Sequence, residues 1–209
     1  MNLEDYIELH TTPEDEVLMN LRRKTNLTTT MPRQLSGPVQ GKLLEFLSIM
    51  IAPKYILEIG TFTGYSAYCL AKGLQEGGML HTFEVRDEYE DNILDFFERA
   101  GVSDRIELHI GDAEKLVGDL PYTFDLAFID GDKRQYPAYY QTVLPKIKTG
   151  GYIIVDNTLW YDKVAIDSNS KDPYTQGVIG LNDMVQNDSR VENVLIPIRD
   201  GLTLIRKVK

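Results

Sequence analysis

Residues 54–67, Lys-Tyr-Ile-Leu-Glu-Ile-Gly-Thr-Phe-Thr-Gly-Tyr-Ser-Ala, constrain this chain more than any other stretch. Residues 55–59 are apolar and β-branched enough for one buried strand. Gly60 ends the run, Gly64 follows four residues on, and a helical pattern starts near Tyr65. A strand, a glycine turn and a helix in that order bring backbone N–H groups and a helix N-terminus up to a ligand. The spacing is Gly-x-x-x-Gly, without the third glycine of a pyrophosphate-binding turn. Glu58 adds a carboxylate two residues before Gly60, which is unhelpful to a diphosphate and suits a cationic or hydroxyl-bearing ligand. Residues 79–85 alternate as a second strand, with Glu84 near its end. Glu84 stands 20 residues after Gly64, about where an acid hydrogen-bonds a ribose diol. Glycine turn and acid together read as a site for an adenosine-type cofactor; the plain alternative is a tight strand–helix turn.

Beyond residue 54, strand and helix patterns alternate. Strands are expected at 55–59, 79–85, 105–110, 124–130 and 150–156, and helices at 64–76, 87–100, 135–148 and 174–187. Parallel strands need crossover connections, so the alternation predicts an α/β fold with a doubly wound, mostly parallel sheet. Residues 158–173 read as a loop over the site. Residues 191–198 and 202–208, joined around Asp200-Gly201, read as a hairpin whose last strand is antiparallel. Ahead of the sheet come a short helix at 3–10 and a helix starting at Thr12-Pro13-Glu14-Asp15 and running to about Lys24. A loop at 25–35 leads to a third helix from Ser36-Gly37-Pro38, with Val39, Leu43, Leu44, Leu47 and Met50 on one face. Nothing in the composition divides the chain, so 1–209 reads as one domain with a helical addition at 1–50 that caps the site or packs on a partner.

The fourth strand ends at Asp130 and the fifth at Asp156-Asn157. In a doubly wound sheet ligands bind at the carboxyl ends of the strands. Two carboxylates and an amide oxygen there are hard ligands suited to Mg²⁺, Mn²⁺ or Ca²⁺. Alone, Asp130 before Gly131 reads more often as a turn residue; Asp156-Asn157 at the next strand's end is what favours the metal. Zinc is not expected, because His10, His81 and His109 show no ligand spacing and Cys69 is the one cysteine. Cys69 itself falls in a helical pattern and reads as a small buried hydrophobe.

Three segments, Glu58–Ser66, Phe128–Lys133 and Val155–Trp160, resemble in order and spacing the successive motifs of the metal-dependent O-methyltransferases of the caffeoyl-CoA and catechol type. The resemblance runs from about residue 30 to the C-terminus. It implies a seven-stranded Rossmann-like fold, S-adenosyl-L-methionine as cofactor, a divalent metal and a homodimer. Carried over residue by residue, Met31, Glu58, Gly60, Thr61, Ser66, Glu84, Asp112, Ala113 and Asp130 fall at the cofactor. Asp130, Asp156 and Asn157 fall at the metal, and Asp132, Trp160 and Tyr161 at the acceptor. Met31, Ser66 and the Asp112-Ala113 pair are equally readable as caps, turns or packing residues. Asp132 either orients the acceptor or caps the helix that follows. Trp160 is an aromatic wall or a core anchor. In the resembling family the lysine at the place of Lys133 is taken as a base or charge partner, with Asp130 beside it. A base role needs its pKa lowered, which a neighbouring cation favours; otherwise it is a solvated surface lysine. The plant members carry asparagine-glycine where this chain has Tyr161-Asp162.

The reaction so implied is methyl transfer to a hydroxyl of a small catechol-like or phenolic acceptor. A bacterial branch of the same family methylates a hydroxylated uridine in tRNA, and it shares an ending like 196–202. The basic run Arg206-Lys207-Val208-Lys209 leans that way, against a net charge of −10 that disfavours nucleic acid and anionic lipid. A non-catalytic binding protein or a nucleotide-dependent oxidoreductase is the third reading. The first is opposed by the complete Asp130, Lys133, Asp156, Asn157 set, and the second by the missing glycine and Glu58. No apolar run approaches a membrane span, and the acidic start has no signal-peptide core, so a cytoplasmic protein is expected.

Overall fold

The structure is a computed structural model that describes residues 1–167 and 169–209; Ser168, within the predicted 158–173 loop, lies outside the described residues. Seven strands form one sheet: β1 (Tyr55–Ile59), β2 (Met79–Glu84), β3 (Ile106–Ile110), β4 (Phe124–Ile129), β5 (Ile147–Asp156), β6 (Val191–Ile196) and β7 (Leu202–Lys207). Their order is β3-β2-β1-β4-β5-β7-β6, with β1 to β5 parallel and β7 antiparallel to both its neighbours. The order reverses between β1 and β4, and such a switch point opens a crevice at the strands' carboxyl ends.

Nine helices complete the described fold. They are α1 (Leu3–Leu9), α2 (Glu16–Thr28), α3 (Gly37–Ile51), α4 (Tyr65–Ala71), α5 (Glu90–Arg99), α6 (Ala113–Leu116), α7 (Tyr136–Val143), α8 (Lys163–Ile166) and α9 (Pro173–Gln186). Strand alternation divides the core. Ile56, Leu80, Leu126, Phe128 and Ile154 pack beneath α2 to α5. Leu57, Phe83, Ala127, Ile153 and Val155 pack beneath α7 and α9. The central strands β1 and β4 are buried on both faces, which is why they are mostly apolar, with Glu58 and Asp125 as the buried exceptions.

The departures from expectation have local causes. The second helix starts at Glu16, because the Asp15 carboxylate, not Thr12, accepts the Leu18 N–H at 2.9 Å. It then runs on to Thr28, into the expected loop. The fourth helix stops at Ala71, well before residue 76, and Gly73 then passes so close to α3 that a Cβ there would stand 2.2 Å from the Ser48 backbone. The apolar set expected on one face of α3 forms its core face only in part, through Leu44 with Leu43 and Leu47 beside it. Gln40, Gly41, Leu44 and Ser48 are buried, whereas Met50 is 79% exposed. Close approach selects this face: a Cβ on Gly41 would stand 2.6 Å from the Tyr65 ring, and Ser48 Oγ donates to the Leu70 carbonyl at 2.6 Å. The hairpin is connected through 197–201, longer than a two-residue turn, and the 158–173 segment contains α8.

Candidate active site

The site is built where β1, β2, β4 and β5 end. Backbone bonds knit the ends together: Gly60 N donates to Phe83 O at 2.9 Å, Asp130 N to Ile59 O at 2.8 Å, and Gly111 N to Glu84 O at 2.8 Å. Gly60 is required there. Its φ is +100°, and a Cβ would stand 2.4 Å from the Asp130 carbonyl oxygen. Gly64, at φ +92°, leads into α4, where a Cβ would strike Phe97 and Phe96.

Glu58 is fully buried on the β1 face that carries Ile56. Its Oε2 accepts from Thr82 Oγ1 at 2.5 Å, and Thr82 shares a second hydrogen bond with Thr61. Its Oε1 is buried with no hydrogen-bond partner among the described residues. Burial raises the Glu58 pKa to about 8; the Ser66 and Thr82 hydroxyls pull it down, and the charges of Asp130 and Glu84 push it up. An orphaned carboxylate oxygen of this kind is a waiting acceptor for a cationic or N–H-bearing ligand.

Glu84 is also buried, and its carboxylate holds the glycine turn. Oε2 accepts from Phe62 N at 2.7 Å and Oε1 from Arg86 N at 3.0 Å. Asp112 caps α6 by accepting from Glu114 N at 3.1 Å, with Ala113 buried next to it. Thr61 and Ser66 are buried in the turn and the first turn of α4, whereas Met31 is 59% exposed on the connection between α2 and α3.

The ends of β4 and β5 carry the charged corner. Lys133 Nζ donates to Asp130 Oδ1 at 2.7 Å. Asp156 is buried; its Oδ2 accepts from Gln40 Nε2 at 2.6 Å and its Oδ1 from Asn157 N at 2.8 Å. Burial, and then the charge of Asp130, push the Asp156 pKa upward. Asn157 takes a left-handed conformation, φ +56°, that turns the chain out of the strand. Burial lowers the Lys133 pKa, but Asp130 and Tyr136 more than offset this, which favours an ammonium paired to Asp130 and leaves a base role to a neighbouring cation. Asp132 is taken up by Arg134: it accepts the Arg134 N–H at 3.0 Å and pairs with the guanidinium, which makes it a cap. Trp160 and Tyr161 follow in left-handed conformations, φ +48° and +55°. The Trp160 ring lies parallel to Tyr174 of α9, and its Nε1 is buried without a partner among the described residues. Tyr161 is 72% exposed.

Comparison with known proteins decides the family. The model of the O-methyltransferase family matches residues 8–208. The chain belongs to the O-methyltransferase family. It is 36% identical over 207 residues to a caffeoyl-CoA O-methyltransferase of Populus kitakamiensis, covering 93% of this chain and 88% of that one. It is 31% identical over 205 residues to the enzyme of the same name from Stellaria longipes, covering 93% and 85%. Its fold is similar to the O-methyltransferase of Bacillus cereus solved in complex with SAH, with TM-score 0.90 and 31% identity over 98% of this chain and 96% of that one. A Podospora anserina methyltransferase solved with SAH gives TM-score 0.90 and 27% identity over 99% and 94%.

Within this O-methyltransferase, several residues that shape the site carry no motif signal. Gln40 comes from α3, far from the motifs, and Arg199 of the hairpin connection donates to Gln40 Oε1 at 3.3 Å and to Leu35 O at 3.0 Å. Tyr136 donates from its hydroxyl to Asp156 O at 2.9 Å beneath Lys133. Only the buried polar character of Gln40 in a helix otherwise rich in Leu, Ile and Met hinted at a partner. The C-terminal basic run is engaged within the chain: Lys207 donates to Leu144 O and Ile147 O, and Arg206 faces Glu192. No helix among the described residues is long and apolar enough to cross a membrane.

Proposed function

We propose that this O-methyltransferase transfers the methyl group of S-adenosyl-L-methionine to a hydroxyl of a small catechol-like or phenolic acceptor, with a divalent metal. The observation that carries the reading is one corner. There the β1, β4 and β5 ends bring Glu58 and Asp156 within reach of the charge of Asp130, which is itself paired to the Lys133 ammonium. Glu58 offers its orphaned oxygen to the positive end of the cofactor. Glu84 and Asp112 stand at the ends of β2 and β3, where a ribose and a base are bound in doubly wound folds. SAH is bound in the Bacillus cereus and Podospora anserina neighbours, which supports the same cofactor here.

The donor set fits a hard divalent cation. The charge of Asp130 disfavours that of buried Asp156, and oxygen ligands from Asp130, Asp156 and Asn157 suit Mg²⁺, Mn²⁺ or Ca²⁺. Such an ion lowers the pKa of a phenolic hydroxyl, which near 10 is otherwise protonated and a poor nucleophile. Lys133 contributes a positive charge beside Asp130, and so stabilises an oxyanion. The Trp160–Tyr174 pair supplies a planar apolar wall for an aromatic ring. Proximity of the oriented oxygen to the methyl carbon then contributes much of the rate.

The homodimer reading draws on Phe46, Ile49 and Met50, exposed along α3. Beside them lies a groove of about 590 Å³ lined by Leu47, Ile51, Val194 and Leu204 among others. Light scattering that reports a monomer of 23.8 kDa at micromolar concentration contradicts it. The function is tested by methyl transfer from labelled cofactor across a catechol panel and bulk undermodified tRNA. Transfer to catechols is expected. Labelling of tRNA alone overturns the small-molecule reading in favour of the RNA-modifying branch.

A further inference from the structure

We propose a second metal site, for a late first-row divalent cation such as Zn²⁺, formed by His81, Glu107 and His109. It lies on the other face of the sheet from the methyl-transfer site. Alternation along β2 puts Thr82 and Glu84 on the face with Leu80, and His81 with Phe83 on the opposite face. The β3 register pairs His81 with Glu107 and Phe83 with His109. Two strands that look unrelated in sequence therefore present three donors side by side.

The spacing matches a coordination sphere. His81 Nδ1 and His109 Nε2 are 3.1 Å apart, His81 Nδ1 and Glu107 Oε2 are 3.4 Å apart, and His109 Nε2 and Glu107 Oε1 are 3.8 Å apart. Donors at 2.0–2.2 Å from a tetrahedral Zn²⁺ stand about 3.3–3.6 Å from one another. The two Glu107 distances are to different carboxylate oxygens, and with one donor atom from each residue the three all lie within 4.8 Å of one another, so side-chain rotation brings them to that edge. Two imidazoles and one carboxylate form the donor set of open three-ligand zinc sites, with a fourth position left to water. Imidazole nitrogen favours Zn²⁺, Ni²⁺ or Cu²⁺ over Mg²⁺ or Ca²⁺, which separates this site chemically from the all-oxygen corner at Asp130 and Asp156.

The surroundings hold the donors in place. His81 is buried at 1% exposure, stacked on Tyr122 with centroids 4.7 Å apart, and His109 is stacked on Phe83 at 4.6 Å. Glu107 is half exposed and opens the site to solvent. β3 is an edge strand paired only to β2, and it leads directly into Gly111 and Asp112. An ion bridging His81 to Glu107 and His109 would clip that edge strand to the sheet.

The test uses the full chain with Mg²⁺ in excess to occupy the oxygen corner. Wild type is titrated with Zn²⁺ by calorimetry and with Co²⁺ by visible absorption, where a tetrahedral nitrogen-containing site gives intense d–d bands. Glu107→Gln and His109→Gln alter partly exposed side chains, and circular dichroism checks their folding. One equivalent of Zn²⁺ is expected to bind wild type and to raise its melting temperature. Loss of an outer-shell partner alone weakens metal sites 10–100-fold, so each variant is expected to bind about 100-fold more weakly. Asp156→Ala is expected to bind Zn²⁺ as wild type does. Zn²⁺ affinity unchanged in both ligand variants, or lost in Asp156→Ala instead, overturns the site. So does the absence of Co²⁺ d–d bands, which leaves a plain His–His hydrogen bond. The inference does not depend on the acceptor or cofactor proposed above.

Discussion

Gln40 Nε2 donates to Asp156 Oδ2 at 2.6 Å, across 116 residues of sequence, with both side chains buried. The helical addition at the N-terminus thus does more than cover the site: it fixes one carboxylate of the charged corner. Arg199 holds the other end of the same amide, so the hairpin connection, α3 and the end of β5 form one polar chain.

Gln40→Ala should therefore destabilise the protein by about 1–3 kcal/mol, because it leaves a buried carboxylate oxygen without its donor. Urea unfolding measures it. A midpoint equal to that of wild type would show that Asp156 finds another partner.

Glu58 makes ligand-free stability depend on pH. Its folded pKa of about 8 lies above the ordinary 4.5, so between those values the folded state holds a proton that the unfolded chain has released. Stability from this group is present at low pH and is lost as pH rises toward 8. The slope approaches about 1.4 kcal/mol per pH unit at most. Glu58→Gln should flatten it, read as urea midpoints of both proteins from pH 5 to 8. Parallel profiles would mean that Glu58 is charged in the folded state.

Glu84→Ala removes the acceptor of the Phe62 and Arg86 N–H groups and the candidate ribose ligand together. Cofactor affinity should fall by about 1–3 kcal/mol. Calorimetry with unchanged affinity would take Glu84 out of the binding site and leave it as a loop anchor.

Asp156→Ala should abolish metal-stimulated methyl transfer while cofactor binding stays within about threefold, since most of the candidate cofactor residues lie on or just after β1, β2 and β3 and none lies on β5. Asn157→Asp keeps an oxygen and adds charge, so activity should fall less. EDTA should stop turnover of wild type, and Mg²⁺ or Mn²⁺ should restore it. Transfer to a catechol that persists in excess EDTA would sink the metal reading.

The parallel sheet and the positions of Gly60, Glu84, Asp130 and Asp156 were legible in the chain, because strand ends and glycine turns are set by local period and backbone sterics. Three motifs in order carried the family as well. Tertiary structure decided what local pattern does not encode. α3 buries Gln40, Gly41 and Ser48 beside Leu44 and turns Met50 outward, because Gly41 and Ser48 allow close approach to α4. Lys133 is a held cation because Asp130 faces it, and no spacing reports the balance between burial and a neighbouring charge. His81 and His109, 28 residues apart, looked unrelated until strand pairing set them 3.1 Å from each other. Register between strands is fixed by which faces are buried together, and that is a property of the assembled sheet, not of either strand alone.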